Sequence, residues 1–104
     1  AGQDAILMVN LLHLISDQAA LVVLSEAAKA LAPGGRLLIY GPFLRGGQAT
    51  SEGDAAFDAS LRAQDPGIGY KDLDWVAGHL AKAGLMLRVT AMPANNLMLI
   101  AFKN

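Results

Sequence analysis

The chain has no cysteine, only two histidines and almost balanced charge, and each shortage removes a class of function. Without cysteine there is no disulfide framework and no thiolate metal site. His13 and His79 stand far apart, so no histidine-based metal spacing exists and no metal is expected. Eight Lys and Arg against nine Asp and Glu leave a formal net charge of −1, which gives no electrostatic reason to expect nucleic acid. No apolar run reaches the roughly 18 residues that cross a bilayer. The stretch from Ala5 to Ile15 is apolar, but Asn10 and His13 interrupt it and no basic region precedes it, so no signal peptide is expected. There is no Gly-x-Ser-x-Gly nucleophile elbow. Nor does a glycine-rich turn lead from a strand into a helix: Gly34-Gly35 follows a helical stretch, and Gly46-Gly47 precedes no helix directly.

What remains is strongly apolar. The hydrophobic fraction is 54%, dominated by Ala, Leu, Ile and Val, which excludes a disordered chain and predicts a sheet buried on both faces. At 104 residues the chain reads as a single domain over 1–104, smaller than a complete nucleotide-binding α/β enzyme, and as soluble and cytoplasmic.

Ala5-Ile6-Leu7-Met8-Val9 is a short continuous apolar run, the mark of a parallel strand inside a sheet. A helix begins near Ser16 or Asp17, either of which can cap free amides, and Leu21, Leu24, Ala28 and Leu31 recur on one face, widened by Val22, Val23 and Ala27. Pro33-Gly34-Gly35 is expected to end it. Leu37 to Tyr40 form the second strand, completing a β-α-β unit. Gly41 to Gly53 reads as a loop, Asp54 to Gln64 as a short helix, and a third helix follows from Asp72 and stops at Gly84. Leu85 to Met92 and Asn96 to Phe102 are the last strands, and the Pro93-Ala94-Asn95 connection is short enough to require an antiparallel hairpin.

In open α/β sheets, ligands gather at the carboxyl ends of the parallel strands. Asn10 and His13 follow the first strand there, Tyr40-Gly41-Pro42-Phe43 end the second, and the hairpin turn returns Asn95 and Asn96 to the same rim. Each has two readings. His13 is either a general base or a residue packed under the following helix. Asn95 and Asn96 either bind a substrate or serve as turn residues that tolerate positive φ. Tyr40 to Phe43 either wall a pocket or simply end a strand. Asp58 and Arg62 sit four apart as a helix-surface ion pair, and Trp75 and Phe57 read as core.

Three segments taken in order, Tyr40-Gly41-Pro42-Phe43, then Phe57-Asp58-Ala59-Ser60-Leu61-Arg62 with Asp65-Pro66, then Met92-Pro93-Ala94-Asn95-Asn96-Leu97, resemble the DUF938 (UPF0585) family of class I S-adenosylmethionine-dependent methyltransferase-like proteins. The resemblance runs from about Asp4 to Phe102 and covers the C-terminal half of such a protein. One departure stands out, Gly67-Ile68-Gly69 after Asp65-Pro66, where the family usually has an aromatic residue. The resemblance implies a partial Rossmann-like half-sheet of four strands in the order 4-5-7-6, the last strand inserting between the previous two. It also implies S-adenosylmethionine as the full-length cofactor, Asn10 and His13 as the residual wall of its site, and Tyr40, Gly41, Pro42, Phe43, Asn95 and Asn96 as substrate contacts. The glycine loop and the acidic residue that hold most of the cofactor would lie before Ala1. The chain is therefore expected to bind no cofactor tightly and to lack methyl-transfer activity alone. The alternatives are a small-ligand or protein-binding module, or a half-enzyme completed by another chain. Ile6-Leu7-Met8-Val9 would then be an open edge, and a homodimer through that strand is expected.

Overall fold

A computed structural model describes residues 2–104. The strands are β1 (Gln3–Val9), β2 (Leu31–Pro42), β3 (Leu85–Ala91) and β4 (Asn96–Lys103), and the helices are α1 (Asp17–Ala30), α2 (Glu52–Gln64) and α3 (Leu73–Lys82). The four strands make one sheet in the order β1-β2-β4-β3. β1 pairs parallel with β2, while β4 runs antiparallel to both β2 and β3. The last strand thus sits between the second and third, in the arrangement 4-5-7-6 that the resemblance implied.

Local chemistry explains the elements. Ser16 caps α1 by accepting a hydrogen bond from the Ala19 amide at 3.0 Å, and Asp17 stands in the first turn, where a negative charge suits the helix dipole. The buried face of α1 is Ala20, Leu24, Ala27 and Ala28. The face is rotated from the one built around Leu21 and widened by Val22, and Val22 is left exposed. The small alanines let the helix lie close to the sheet, so the bulkier Leu and Val positions turn toward its sides. Asp72 caps α3 by accepting from the Asp74 amide at 2.9 Å, Val76 and Leu80 are fully buried, and Gly84 leaves the helix at φ 85°, a conformation glycine adopts freely.

The turn at Pro33-Gly34-Gly35 is not the helix stop. α1 ends at Ala30 and Leu31 is already extended, at φ −71° and ψ 135°. The Lys103 ammonium donates to the free carbonyls of Ala28 and Leu31 at 2.9 and 2.8 Å, which finishes the helix. Pro33 to Gly35 instead lie in a bulge of β2: Gln3 pairs with Leu31 and Ala5 with Arg36, so β2 carries three more residues across that interval than β1.

The core lies between the sheet and the pair α1 and α3. Leu37, Ile39, Leu99 and Ala101 from the central strands meet Leu24, Val76 and Leu80 from the helices, all at most 3% exposed. Each large aliphatic side chain buried there contributes about 1.5–3 kcal/mol. The opposite face is different. Strand alternation puts Leu7, Val9, Leu38, Tyr40, Met86, Met98, Ile100 and Phe102 on it, and among the described residues these are half-buried or exposed. Leu7 is 63% exposed and Met86 60%. The sheet is therefore buried on one face only, contrary to the composition-based expectation, because all three helices follow strands in a sequence order that leaves α1 and α3 on the same side.

Candidate functional site

The carboxyl end of β1 turns at Asn10, which adopts a left-handed φ of 52° while its amide donates to the Tyr40 carbonyl at 2.9 Å. Asparagine takes that conformation at little cost, and the ladder bond keeps it against β2. Its side-chain oxygen faces Gly41, 3.5 Å from where a β-carbon would stand. On the far side of β2, register pairs Tyr40 with Met98 and Pro42 with Asn96. The Asn96 side-chain amide donates to the Tyr40 hydroxyl at 3.1 Å and to the Pro93 carbonyl at 3.3 Å. Because Tyr40 accepts from Asn96, its own hydroxyl proton points elsewhere and is available to a ligand oxygen. The β3–β4 turn is tight, with Ala94 at φ 60° and Asn95 at φ 62°, and the Asn96 amide closes it onto the Pro93 carbonyl. Asn suits this left-handed pair and Ala does not, so the turn at the rim holds local strain. The Asn95 carbonyl accepts from Arg45 at 3.5 Å.

Asn10, Tyr40, Gly41, Asn95 and Asn96 thus lie along one rim. Two of the anticipated residues do not line it in that way. Phe43 is 1% exposed and belongs to the core, and Pro42 is buried beside it. His13 keeps other company.

His13 lies in a single 3-10 turn, Leu12–Leu14, and is 6% exposed. Its ring meets Phe57 of α2 at 5.9 Å and Tyr70 at 5.7 Å between centroids, both edge-to-face, and Phe57 and Tyr70 meet each other at 6.1 Å. Phe57 is 47% exposed, so it walls this aromatic cluster rather than filling the core. Trp75 is half-buried and packs against the core, with His79 at 4.8 Å. No group among the described residues hydrogen-bonds either imidazole nitrogen of His13, and no buried side-chain nitrogen is left unsatisfied, so the ring nitrogens reach solvent. Burial, and secondarily the nearby Lys71 charge, hold the His13 pKa below its usual 6.5. A neutral imidazole with a free nitrogen is a proton acceptor.

The segment from Asp65 to Asp72 braces this cluster. The Asp58–Arg62 pair, 3.1 Å apart, does more than decorate a helix surface. Asp58 accepts from the Tyr70 amide at 2.8 Å and Arg62 donates to the Tyr70 carbonyl at 3.0 Å, so the two side chains grip one peptide from both ends. The Tyr70 hydroxyl donates to Asp54 at 3.4 Å; burial and then the Asp54 charge push its pKa up to about 12. Lys71, 4% exposed, sits next in line, its pKa lowered by burial despite the opposing pull of Asp17. Tyr70 and Lys71 carried no sequence signal: a Tyr-Lys pair before a helix cap reads as surface, and only the fold turns both inward.

Gly69 makes that grip possible. Its φ is +140°, and a β-carbon there would fall 2.7 Å from the Arg62 Cζ. Gly69→Ala is expected to displace the guanidinium and strain the backbone, lowering unfolding free energy by about 1–3 kcal/mol. Urea denaturation checks this; an unchanged midpoint would show that the grip on Tyr70 contributes little.

Comparison with known proteins adds the wider frame. The family described as "Protein of unknown function (DUF938)" matches residues 1–104. Among solved structures, TnmH is similar over 100% of this chain with 32% identity and a TM-score of 0.80. An O-methyltransferase family protein from Burkholderia thailandensis matches 100% of the chain at 23% identity and a TM-score of 0.88. Human N-acetylserotonin methyltransferase, solved with SAM, matches 97% at 17% identity and a TM-score of 0.84. The chain spans only 31%, 31% and 29% of those three proteins, about a third of their length. The likeness establishes a methyltransferase Rossmann-like fold for the segment.

Proposed function

This chain belongs to the DUF938 family, and from that membership we propose that it forms the acceptor-side wall of an S-adenosylmethionine-dependent methyl-transfer site. The observation that carries this reading is His13: a buried imidazole just past the carboxyl end of β1, with its pKa lowered and both nitrogens free of protein partners. Such a group takes the proton of an acceptor hydroxyl as that oxygen becomes a nucleophile. Tyr40, oriented by Asn96, offers a hydrogen bond to a polar oxygen of the ligand, and Asn10 lines the rim beside Gly41.

The 104 residues do not fit the whole cofactor. β1 runs into Asn10 and a 3-10 turn rather than a glycine loop opening a helix, so the phosphate-free cofactor would meet one wall here and no cradle. Methyl transfer depends on holding two reactants in line, and one wall cannot do that. The chain on its own is therefore proposed to lack methyl-transfer activity, with Asn10 and His13 as its remaining cofactor contacts. A second reading, a binding module or a half-site completed by another polypeptide, is favoured by the uncovered sheet face and the open β1 edge.

An amide-resolved NMR titration with millimolar S-adenosylmethionine and S-adenosylhomocysteine tests the site. Perturbations are expected at Asn10, His13, Asn95 and Asn96. Perturbations confined to the opposite end of the strands, around Gly34 to Arg36 and Lys103, would overturn it.

A further inference from the structure

The Lys71 ammonium is the best-buried charge in the described residues, and its contacts converge on one neighbour. It donates to the Ile15 carbonyl at 2.7 Å and to the Gly69 carbonyl at 2.9 Å, with the Asp17 carboxylate 3.5 Å away. Ile15 lies two residues beyond His13. Gly69, in turn, donates its amide to the His13 carbonyl at 3.1 Å. The backbone carrying the imidazole is therefore fastened at two points, directly through Ile15 and indirectly through Gly69, by a single side chain. Lys71 is adjacent to Tyr70, whose ring is one wall of the His13 cluster.

A buried ammonium is expensive, and replacing it with an apolar side chain of similar volume is often neutral for stability. Its presence here needs a purpose other than holding the fold. We propose that Lys71 is the positioning residue of His13: its ammonium locks the 3-10 turn to the Gly69-Tyr70 peptide and so fixes the imidazole against Phe57 and Tyr70 with its nitrogens facing solvent. The inference rests on the reading of His13 as a proton acceptor and adds the group that holds the acceptor in place. The same positive charge opposes protonation of the ring, which keeps it in the accepting form near neutral pH.

The charged and titratable groups around His13 come from three elements. α1 contributes Asp17, α2 contributes Asp54, Asp58 and Arg62, and the segment before α3 contributes Tyr70 and Lys71 itself. Asp58 and Arg62 neutralise one another, and Asp54 is engaged with Tyr70, so Lys71 is the charge with the net effect on the ring.

The test is an NMR titration of the 15N-labelled imidazole in the intact 104-residue chain, with His79→Gln as background so that one ring is observed. Wild-type His13 should titrate below 6.5 and show ring contacts to Phe57 and Tyr70. Lys71→Met should raise the midpoint by about 0.5 in pH and weaken those contacts. Asp17→Asn, which leaves both carbonyl bonds but removes the counter-charge, should lower the midpoint and keep the contacts. Opposite movements in the two variants support the proposal, because a merely structural lysine predicts none from Asp17→Asn. An unmoved midpoint in Asp17→Asn, or a Lys71→Met ring with wild-type contacts and midpoint, overturns it. Asp17 has a side chain 75% exposed, so that arm decides even where Lys71→Met does not fold. Failure of the acceptor reading is separate: His13→Gln would then leave the ligand-induced NMR changes intact, while the titrations still report on Lys71.

Discussion

Calorimetric titration of the 104-residue chain with S-adenosylmethionine is expected to give a dissociation constant weaker than about 1 mM, less than roughly 4 kcal/mol of binding free energy. The reason is the form of the β1 exit. Cofactors with a flexible amino-acid tail and a ribose are usually held by backbone amides of a glycine turn and by an acidic partner for the sugar hydroxyls. Here β1 leads into Asn10 and a 3-10 turn in which Leu12 and His13 are buried, so no cluster of free amides faces the ligand. What the rim supplies is a few side-chain hydrogen bonds, from Tyr40 and the asparagines, each contributing about 0.5–1.5 kcal/mol net. The ordering cost of a flexible ligand consumes most of that sum. Micromolar binding to a monomer would mean that the uncovered face forms a cradle of a different kind.

Light scattering at micromolar concentration is expected to return about twice the chain mass of 10.8 kDa. β1 is an edge strand, bonded to β2 on one side only, and Ala5 to Val9 carry neither charge nor proline to discourage pairing. Antiparallel pairing of β1 with its own copy about a two-fold axis satisfies those free backbone groups and continues the sheet. It also brings Leu7 and Val9 of both copies, which are 63% and 53% exposed, into one apolar strip. Leu7→Lys is the informative variant. The Leu7 side chain stands on the uncovered face, so a charge there leaves the core untouched while opposing its own copy across the axis. Met8→Lys would instead bury an ammonium, because Met8 is 8% exposed and faces the helices. A wild-type chain that scatters as a stable monomer would sink the dimer; a Leu7→Lys chain that remains dimeric would move the contact elsewhere.

Much of this architecture was readable in the residues. Ala5 to Val9, the α1 cap at Ser16 and the Leu37 to Tyr40 run specified a β-α-β unit, and Pro93-Ala94-Asn95 left room for nothing but a hairpin. The placing of β4 between β2 and β3 came through the family resemblance, because apolar periodicity says which residues are buried but not which strand lies beside which. Leu37-Leu38-Ile39-Tyr40 reads as buried on both sides, yet only Leu37 and Ile39 are; a continuous apolar run marks what a strand can bury, not what covers it. The bulge at Pro33 to Gly35 was hidden because proline and glycine punctuate helix ends and strand irregularities alike. On the rim, Asn10, Tyr40 and Asn96 were found by topology. Phe43 was drawn in by its neighbours, although an aromatic just past a strand end packs inward as readily as outward. The brace around His13 escaped, since Asp58 and Arg62 at helical spacing have a complete local explanation and their bonds to Tyr70 span loop geometry that spacing does not encode.

The strand order sets when, as well as how, this sheet can form. β2 finds its second partner only in β4, with Arg36 pairing to Phe102, and β3 has no partner other than β4. Until Asn96 to Lys103 have been synthesised, β2 offers an open edge and Leu85 to Ala91 cannot join the sheet at all. At ribosomal speeds of about 5–20 residues per second, the roughly fifty-residue interval between β2 and β4 lasts several seconds. During that time the apolar stretch Leu37 to Tyr40 depends on β1 and α1 alone. Pairings of such long sequence separation also slow the folding of the finished chain. The central position of β4 therefore makes assembly nearly all-or-none, and exposes the nascent chain to holdase chaperones for longer than a sheet built strand by strand would.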